Sequence, residues 1–531
     1  MLGISFSKKE FWFVSLWAVV LVIISFIPHI VGFLNEPEGQ QYMMTGYPIY
    51  QDSNTYFTWI RQAAEGSFLF EIKYTHEPHI QALFQPVFLV MGLLIRIGLP
   101  LMFVWFLFQA VSVIFLTFVL YIFFAKFLTR ARLRRYALVL VSFAGGFGFL
   151  IFFLNNWPPI GWRPVDVELP EATIGRSIMW PYIFAFSIAL LLLSFLFLAR
   201  YLDTRQKKYL IIAGLLGFVL NIIHPYDMVT LVFVSTVYVF IRYRFKLWKE
   251  TVLFLAIVIL PSLYHFWLLL DPIFGAHSGF NMRSPVPLAY LIGFGALLPL
   301  MLVGMISILK RRKFKENPHW FLLGVWVLSM PILLYAPIDF QRRLVEGVIV
   351  AVVLFAIVGM VELWQWIDPH LPRGRGARGI VRWGVLLSAF IIITITPIAN
   401  LLDDVKWVRD GGFPYYFSDE VIEGMEWLEQ NTSRDDVVLT TWGTGNFIPR
   451  LSGNTVFLGH GAQTINAYQK HLQAESFFSG AMSEPLQKEL LHQNNISYIF
   501  SGPYEQKGGE MPDNTTRVFQ NADVLIYHVN P

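Results

Sequence analysis

The chain has 531 residues, of which 55% are hydrophobic and only 14% charged, well under the roughly 25% charge of a soluble domain. With 17% aromatic residues and repeated apolar runs of about 20 residues, the length that crosses a bilayer, a disordered chain and an ordinary soluble enzyme are excluded. The net charge of +4 says little by itself, and the absence of Cys excludes a disulfide framework and a thiolate metal site.

Lys8 and Lys9 precede the first apolar run, 11–33. That run is too long for a cleaved signal core and lacks a small-residue cleavage site, so it reads as a retained anchor with a cytoplasmic N-terminus. Five further basic clusters, at 126–135, 200–208, 242–249, 310–315 and 373–382, lie between apolar runs. With Lys8 and Lys9 they hold 24 of the 40 Lys and Arg residues. The positive-inside bias places all six in the cytoplasm.

The first outer loop, 34–99, contains Tyr47-Pro48-Ile49-Tyr50-Gln51-Asp52-Ser53-Asn54-Thr55-Tyr56-Phe57. The pattern predicts an amphipathic interfacial helix over 54–64, with Asp52 at its start. Asp52 reads as a general base or metal ligand at the membrane surface; the alternative is that Asp52 or Ser53 caps that helix. Further on, Tyr74-Thr75-His76-Glu77-Pro78-His79 is a compact polar cluster. Glu77 and His79 are candidates for holding an acceptor or a cation, although the spacing matches no zinc pattern; the bland alternative is a loop that shapes a pocket rim.

An acidic loop outside and a basic cluster inside require an odd number of crossings over 80–125. The run 84–97 is short and ends with Arg96, so it is expected not to span. Crossing parity likewise makes 209–241 a hairpin, bent at His224-Pro225-Tyr226-Asp227, where Pro225 breaks the helix. The expectation is eleven spans: 11–33, 100–125, 136–154, 179–199, 209–223, 226–241, 251–270, 286–309, 319–336, 344–366 and 383–401.

The second outer loop, 155–178, carries Asp166, Glu168 and Glu171. Acids two residues apart can both reach a divalent cation, and oxygen ligands suit Mg or Mn; a solvated loop is the alternative. His224 marks the apex of a hairpin whose short arms put ionisable groups at membrane depth, where they are costly and often functional. Arg342 and Arg343 stand at the outer start of a span, against the positive-inside bias. Something anionic should offset that cost, and Arg binds phosphate bidentately; local pairing with Asp339 or Glu346 is the alternative.

After residue 402 the composition changes, to 17 acidic and 8 basic residues. Helices are predicted from Ser418 to about 430, over 464–479 and over 484–493. Strands are predicted over 437–440, 455–458, 496–500 and 524–528. The domains expected are thus a transmembrane region, 1–401, and a small exported α/β domain, 402–531.

The layout resembles the GT-C superfamily of membrane glycosyltransferases. Asp52, in the run 52–66, looks like the essential Asp of that superfamily's first outer loop, and also resembles the corresponding loop of oligosaccharyltransferase catalytic subunits. The run 86–126, through Gly98, is similar to the juxtamembrane helix and following span of family 39-type transferases. Asp166 to Glu171, His224-Pro225-Tyr226, Gln341-Arg342-Arg343 and Gly459-His460 look similar to bacterial membrane proteins of the superfamily. Asp52 has no adjacent acid, and the loop has His76-Glu77-Pro78-His79 in place of a double-Pro motif, so donor and acceptor are not carried over.

The resemblance implies a polytopic helical membrane protein of a prokaryotic plasma membrane that uses a polyprenyl-phosphate-linked sugar. Its acceptor is a glycan, lipid or protein, and nothing points to nucleic acid. The expected reaction is inverting transfer at the outer face, with Asp52 as base. Arg342, Arg343 and His224 would be on the donor phosphate. Asp166, Glu168, Glu171, Glu77 and His79 would be on the acceptor or a cation. A metal is optional, because a lipid phosphate already leaves as a stabilised anion. The alternatives from other classes are a lipid or oligosaccharide transporter and a non-catalytic assembly protein.

Overall fold

The structure is a computed structural model that describes residues 6–45, 50–152, 162–180, 182–278, 282–370 and 375–530; side chains at 277–278, 370–387 and 389 are not described. Tyr47, Pro48 and Ile49 of the first-loop run, the first part of the second outer loop and the side chains of the basic cluster at 373–382 therefore lie outside the described residues. The chain forms two compact units. One comprises 1–27, 106–263 and 281–403; the other comprises 28–105, 264–280 and 404–531.

The first unit is helical, because its apolar runs have no other way to satisfy backbone polar groups in lipid. Among the described residues, five helical stretches are long and apolar enough to cross a membrane: Lys8–Leu34, Leu101–Phe127, Ile183–Thr204, Pro225–Leu268 and Gln341–Ile367. The count becomes six if the bent pair Pro287–Phe294 and Leu297–Lys310 is one span. The expected eleven spans are not reached as eleven long helices. The run at 286–309 bends by 81° at Gly295, whose φ of 45° favours glycine. A Cβ there would come within 2.8 Å of the Gly146 backbone. The run at 136–154 holds only the helix Ala131–Ser142 and the 3-10 turn Gly148–Phe152 among its described residues.

The hairpin expected at 209–241 is present. Its arms are Lys207–Ile223 and Pro225–Tyr243, with His224 alone outside the helices and Pro225 at the first helical position. The helix Pro86–Arg96 has 11 residues. It covers about 16 Å at 1.5 Å per residue, too little to cross a core of about 30 Å.

The second unit contains both sheets. Strand β1 (Gln40–Tyr42) pairs antiparallel with β2 (Tyr416–Ser418). The larger sheet has the order β4-β3-β5-β7-β6, from β3 (Val437–Leu439), β4 (Thr455–Val456), β5 (Ile496–Ser501), β6 (Thr515–Gln520) and β7 (Leu525–Val529). β3 runs parallel to β4 and β5; β7 runs antiparallel to β5 and β6. The helices Asp419–Asn431, Ala467–Phe478 and Glu484–Gln493 match their expected positions. Ser418 caps the first of them through the Val421 amide. β6 was not foreseen; its mostly exposed side chains lack the alternation that marks a half-buried strand.

The helix Tyr50–Glu65 belongs to this unit. It packs on Pro86–Arg96 where Gly92 lies so close that a Cβ would come within 2.2 Å of the Ala63 Cβ. It covers the helix expected at 54–64, and its buried side mixes polar residues (Ser53, Asn54, Thr55, Thr58, Gln62) with apolar ones (Phe57, Ile60, Ala63).

Candidate functional site

Asp52 lies in the first turn of Tyr50–Glu65, within the helix rather than capping it. Its side chain is 41% exposed, and Oδ1 is 3.5 Å from Nε2 of His460. The contact falls short of a well-formed hydrogen bond. The imidazole is nonetheless oriented. The Ala462 amide donates to His460 Nδ1 at 3.1 Å, so Nδ1 carries no proton. The neutral ring then has its single proton on Nε2, the nitrogen 3.5 Å from the carboxylate.

The turn that holds His460 is fixed on several sides. Thr464 Oγ1 accepts from the Gly459 and His460 amides and donates to the Tyr74 carbonyl. The Gly461 amide donates to Gln51 Oε1, next to Asp52, at 3.0 Å. Asn446 donates to the Gly459 carbonyl and accepts from Asn54 Nδ2 at 2.9 Å. Arg450 Nη1 donates to Asn54 Oδ1 at 3.0 Å and to the Met43 carbonyl at 2.6 Å, with its guanidinium 4.1 Å from the Phe57 ring centroid. Burial lowers the Arg450 pKa to about 10, which leaves it charged at neutral pH. Gly459 has no room for a side chain, since a Cβ would stand 2.4 Å from the Gly445 carbonyl oxygen. His460 was absent from the expected site residues. Its only sequence signal was the Gly459-His460 pair, and nothing local tied it to Asp52.

Glu77 and His79 are engaged by their own loop and its neighbours. Lys470 Nζ donates to Glu77 at 3.0 Å and to His76 Nδ1 at 3.1 Å, and Thr75 donates to Glu77 as well. Burial alone would raise the Glu77 carboxyl, but the Lys470 and Thr75 hydrogen bonds outweigh it and hold the pKa below the ordinary value. Burial, and after it the Lys470 charge, lowers the His76 pKa. His79 Nε2 accepts from the Ile72 amide at 3.0 Å and Nδ1 donates to the Glu77 carbonyl at 2.8 Å. Both ring nitrogens thus serve the backbone.

In the helical unit, the three acids of the second loop have three different surroundings. Asp166 is wholly buried; Oδ2 accepts from the Gly146 and Gly148 amides at 2.8 and 3.3 Å. Desolvation outweighs those bonds and raises its pKa to about 7. Glu168 is exposed. Glu171 is buried, with Oε1 2.7 Å from Arg343 Nη1. Arg343 also lies over the Phe184 ring at 5.5 Å. Its pairing with Glu171 is long-range and was not foreseen; its charge also acts on Glu346, the local partner expected. Among the described residues, the half-buried Arg342 guanidinium has no hydrogen bond or ion pair, and its Nε is buried without a partner.

Among the described residues, Asp166, Glu171, Glu77 and His79 thus have separate partners, Glu168 is exposed, and these residues do not form one donor set. A different group does converge. His224 Nδ1 lies 3.1 Å from Asp227 Oδ2 and 3.4 Å from Glu346 Oε2. Asp227 and Glu346 are wholly buried.

The sequence matches no family model, and no curated protein matches it. Solved structures do. ArnT from Cupriavidus metallidurans in the apo state superposes with a TM-score of 0.53 at 11% identity, over 97% of this chain and 98% of that one. The Archaeoglobus fulgidus oligosaccharyltransferase in the apo form gives 0.52 at 14% identity, over 92% and 69%. The archaeal oligosaccharyltransferase AglB from the same organism, in complex with an inhibitory peptide and a dolichol-phosphate, gives 0.50 at 14% identity, over 92% and 70%. At such identities the likeness is one of fold. This chain is a polytopic α-helical membrane protein with the GT-C fold and a small C-terminal α/β domain.

Proposed function

We propose that the protein is an inverting membrane glycosyltransferase that moves a sugar from a polyprenyl-phosphate donor to an acceptor on the outer face of the membrane. The fold supports the class, and AglB, which shares it, has been solved with a dolichol-phosphate. The observation that carries the reading is the half-exposed Asp52 carboxylate 3.5 Å from Nε2 of a neutral, buried His460.

In this reading an acceptor hydroxyl attacks the anomeric carbon. Its oxygen bonds to that carbon, the bond to the lipid phosphate breaks, and Asp52 takes the hydroxyl proton. General base catalysis of this kind contributes about 10²–10⁴-fold. His460 is a positioning residue that orients the carboxylate through Oδ1. Arg342, whose guanidinium has no partner among the described residues, stabilises the departing phosphate. Arg343, held by Glu171, supports it, and His224 acts on the same donor group. Glu171 thus holds an arginine, while Glu77 and His79 shape their loop. Asp166 braces the Gly146–Gly148 turn, and the exposed Glu168 is left to contact the acceptor. A divalent cation, Mg or Mn, is optional.

The test is release of polyprenyl phosphate from a panel of polyprenyl-phosphate sugars by the purified chain. Release from one donor, lost in Asp52→Asn with folding intact, is expected and names the sugar. Normal turnover by Asp52→Asn sinks the assignment of the base. No release from any donor by folded protein moves the reading toward transport or assembly.

A further inference from the structure

Three elements of the helical unit bring one imidazole and two carboxylates together. His224 is the single residue between the hairpin helices, Asp227 lies in the first turn after Pro225, and Glu346 ends the 3-10 turn Gln341–Val345. The backbone then turns at Gly347, whose φ of 75° favours glycine. One ligand atom from each of His224, Asp227 and Glu346 lies within 4.8 Å of the other two.

Ligand atoms about 2.1 Å from a divalent ion stand about 3.0–3.4 Å apart, the edges of an octahedron or tetrahedron. The two separations from His224, 3.1 and 3.4 Å, are edges of that size. Charge gives an independent argument. Asp227, Glu346 and Glu171 are all wholly buried, and Arg343 neutralises Glu171. Asp227 Oδ1 and both Glu346 oxygens accept no hydrogen bond from an N–H or O–H donor among the described residues, and the Arg343 charge that reaches Glu346 is shared with Glu171. Three buried carboxylates around one arginine are costly.

We propose that His224, Asp227 and Glu346 form a divalent-cation site, distinct from the second-loop acids. One imidazole nitrogen and two carboxylate oxygens suit Mn²⁺ or Zn²⁺ better than Mg²⁺, which prefers an all-oxygen shell. The ring binds through Nδ1 and keeps its proton on Nε2. Three protein ligands leave coordination positions for another group. That these take the lipid phosphate rests on the transferase reading; the site itself does not.

The test uses the full chain in detergent, stripped with chelator and titrated with MnCl₂ or ZnCl₂. One equivalent of Mn²⁺ or Zn²⁺ should bind and raise the melting temperature. For Mn²⁺, pulsed electron paramagnetic resonance should show a directly bound imidazole nitrogen. Glu346→Gln and Asp227→Asn should each weaken binding at least about 10-fold. His224→Gln should remove the nitrogen signal, whereas Glu77→Gln should change neither. If a variant fails to fold, the stoichiometry and nitrogen signal of the wild-type chain decide alone. Less than a tenth of an equivalent bound, or binding unchanged in a folded Glu346→Gln, overturns the site. Binding without sugar transfer supports the site while counting against the transferase; transfer by a chain that binds no metal does the reverse.

Discussion

Arg343, in the helical unit, keeps 14% of its side chain exposed and lies against a buried carboxylate, Glu171. Arg450, in the other unit, is buried, and its partners are the Met43 carbonyl, the Asn54 amide oxygen and the Phe57 ring; among the described residues no carboxylate pairs with it. The acids differ in the same way. Glu346 and Asp227 are sealed in with more carboxylates than cations around them. Asp52 keeps 41% of its side chain exposed, beside a neutral histidine. One unit thus concentrates charge where solvation is poor, an arrangement that asks for a counter-ion. Around Asp52 and Arg450, the other builds a network of neutral dipoles that fixes side chains without neutralising them. The first suits holding a charged group; the second suits presenting a base whose charge must stay available.

The comparison breaks most sharply if the buried ion pair proves dispensable. Removing one partner of a buried pair costs about 3–5 kcal/mol. Glu171→Ala should therefore lower the denaturation midpoint in detergent strongly, and adding Arg343→Met should recover most of the loss. If the single variant melts like wild type, the unit does not depend on charge pairing. Arg450→Met should cost less, about 1.5–3 kcal/mol for its charge-assisted hydrogen bonds. It should also loosen the Gly459–Gly461 turn, read as faster amide exchange there.

A smaller effect sharpens the role of the neutral network. His460→Ala is expected to lower kcat for sugar transfer about 10-fold, less than the roughly 10²–10⁴-fold of the base itself because His460 only positions it, with donor KM unchanged. His460→Gln keeps an N–H donor and should retain more activity. Equal losses in both variants, or a loss confined to KM, would falsify the positioning role.

The smallest effect concerns Asp166, whose pKa is raised to about 7 by burial. Between the unfolded carboxylate's ordinary value and 7, the folded protein binds the extra proton. Stability therefore falls as pH rises through that window, by about 1 kcal/mol between pH 6 and 8. Asp166→Asn keeps an acceptor for the two amides and has no charge to lose. Its melting temperature should be flat across pH 6–8, with the wild type sloping downward.

Much of the helical organisation was legible because its cause is local. A run of apolar side chains needs a helix wherever it lies in lipid, and Pro225 ends one helix and starts the next by its own ring geometry. The too-short run before Gly98 was likewise readable from length. The bend at Gly295 was not, because a glycine in an apolar run signals equally a packing point or a kink until its neighbour, Gly146, is known.

The site divides along the same line. Asp52, Arg342 and His224 could be picked out as polar residues in costly places. Their partners could not. Gln51 and Gly461 bond across 410 positions of sequence, and His460 meets Asp52 by the same fold. Glu346 reaches His224, and Glu171 reaches Arg343, only once helices distant in sequence have packed. The sequence by itself determined that this is a polytopic helical membrane protein with an α/β tail, because hydrophobic length and strand or helix period act within a few residues. The tertiary structure alone decided which acid receives which base, because electrostatic pairing depends on distances that no spacing along the chain specifies.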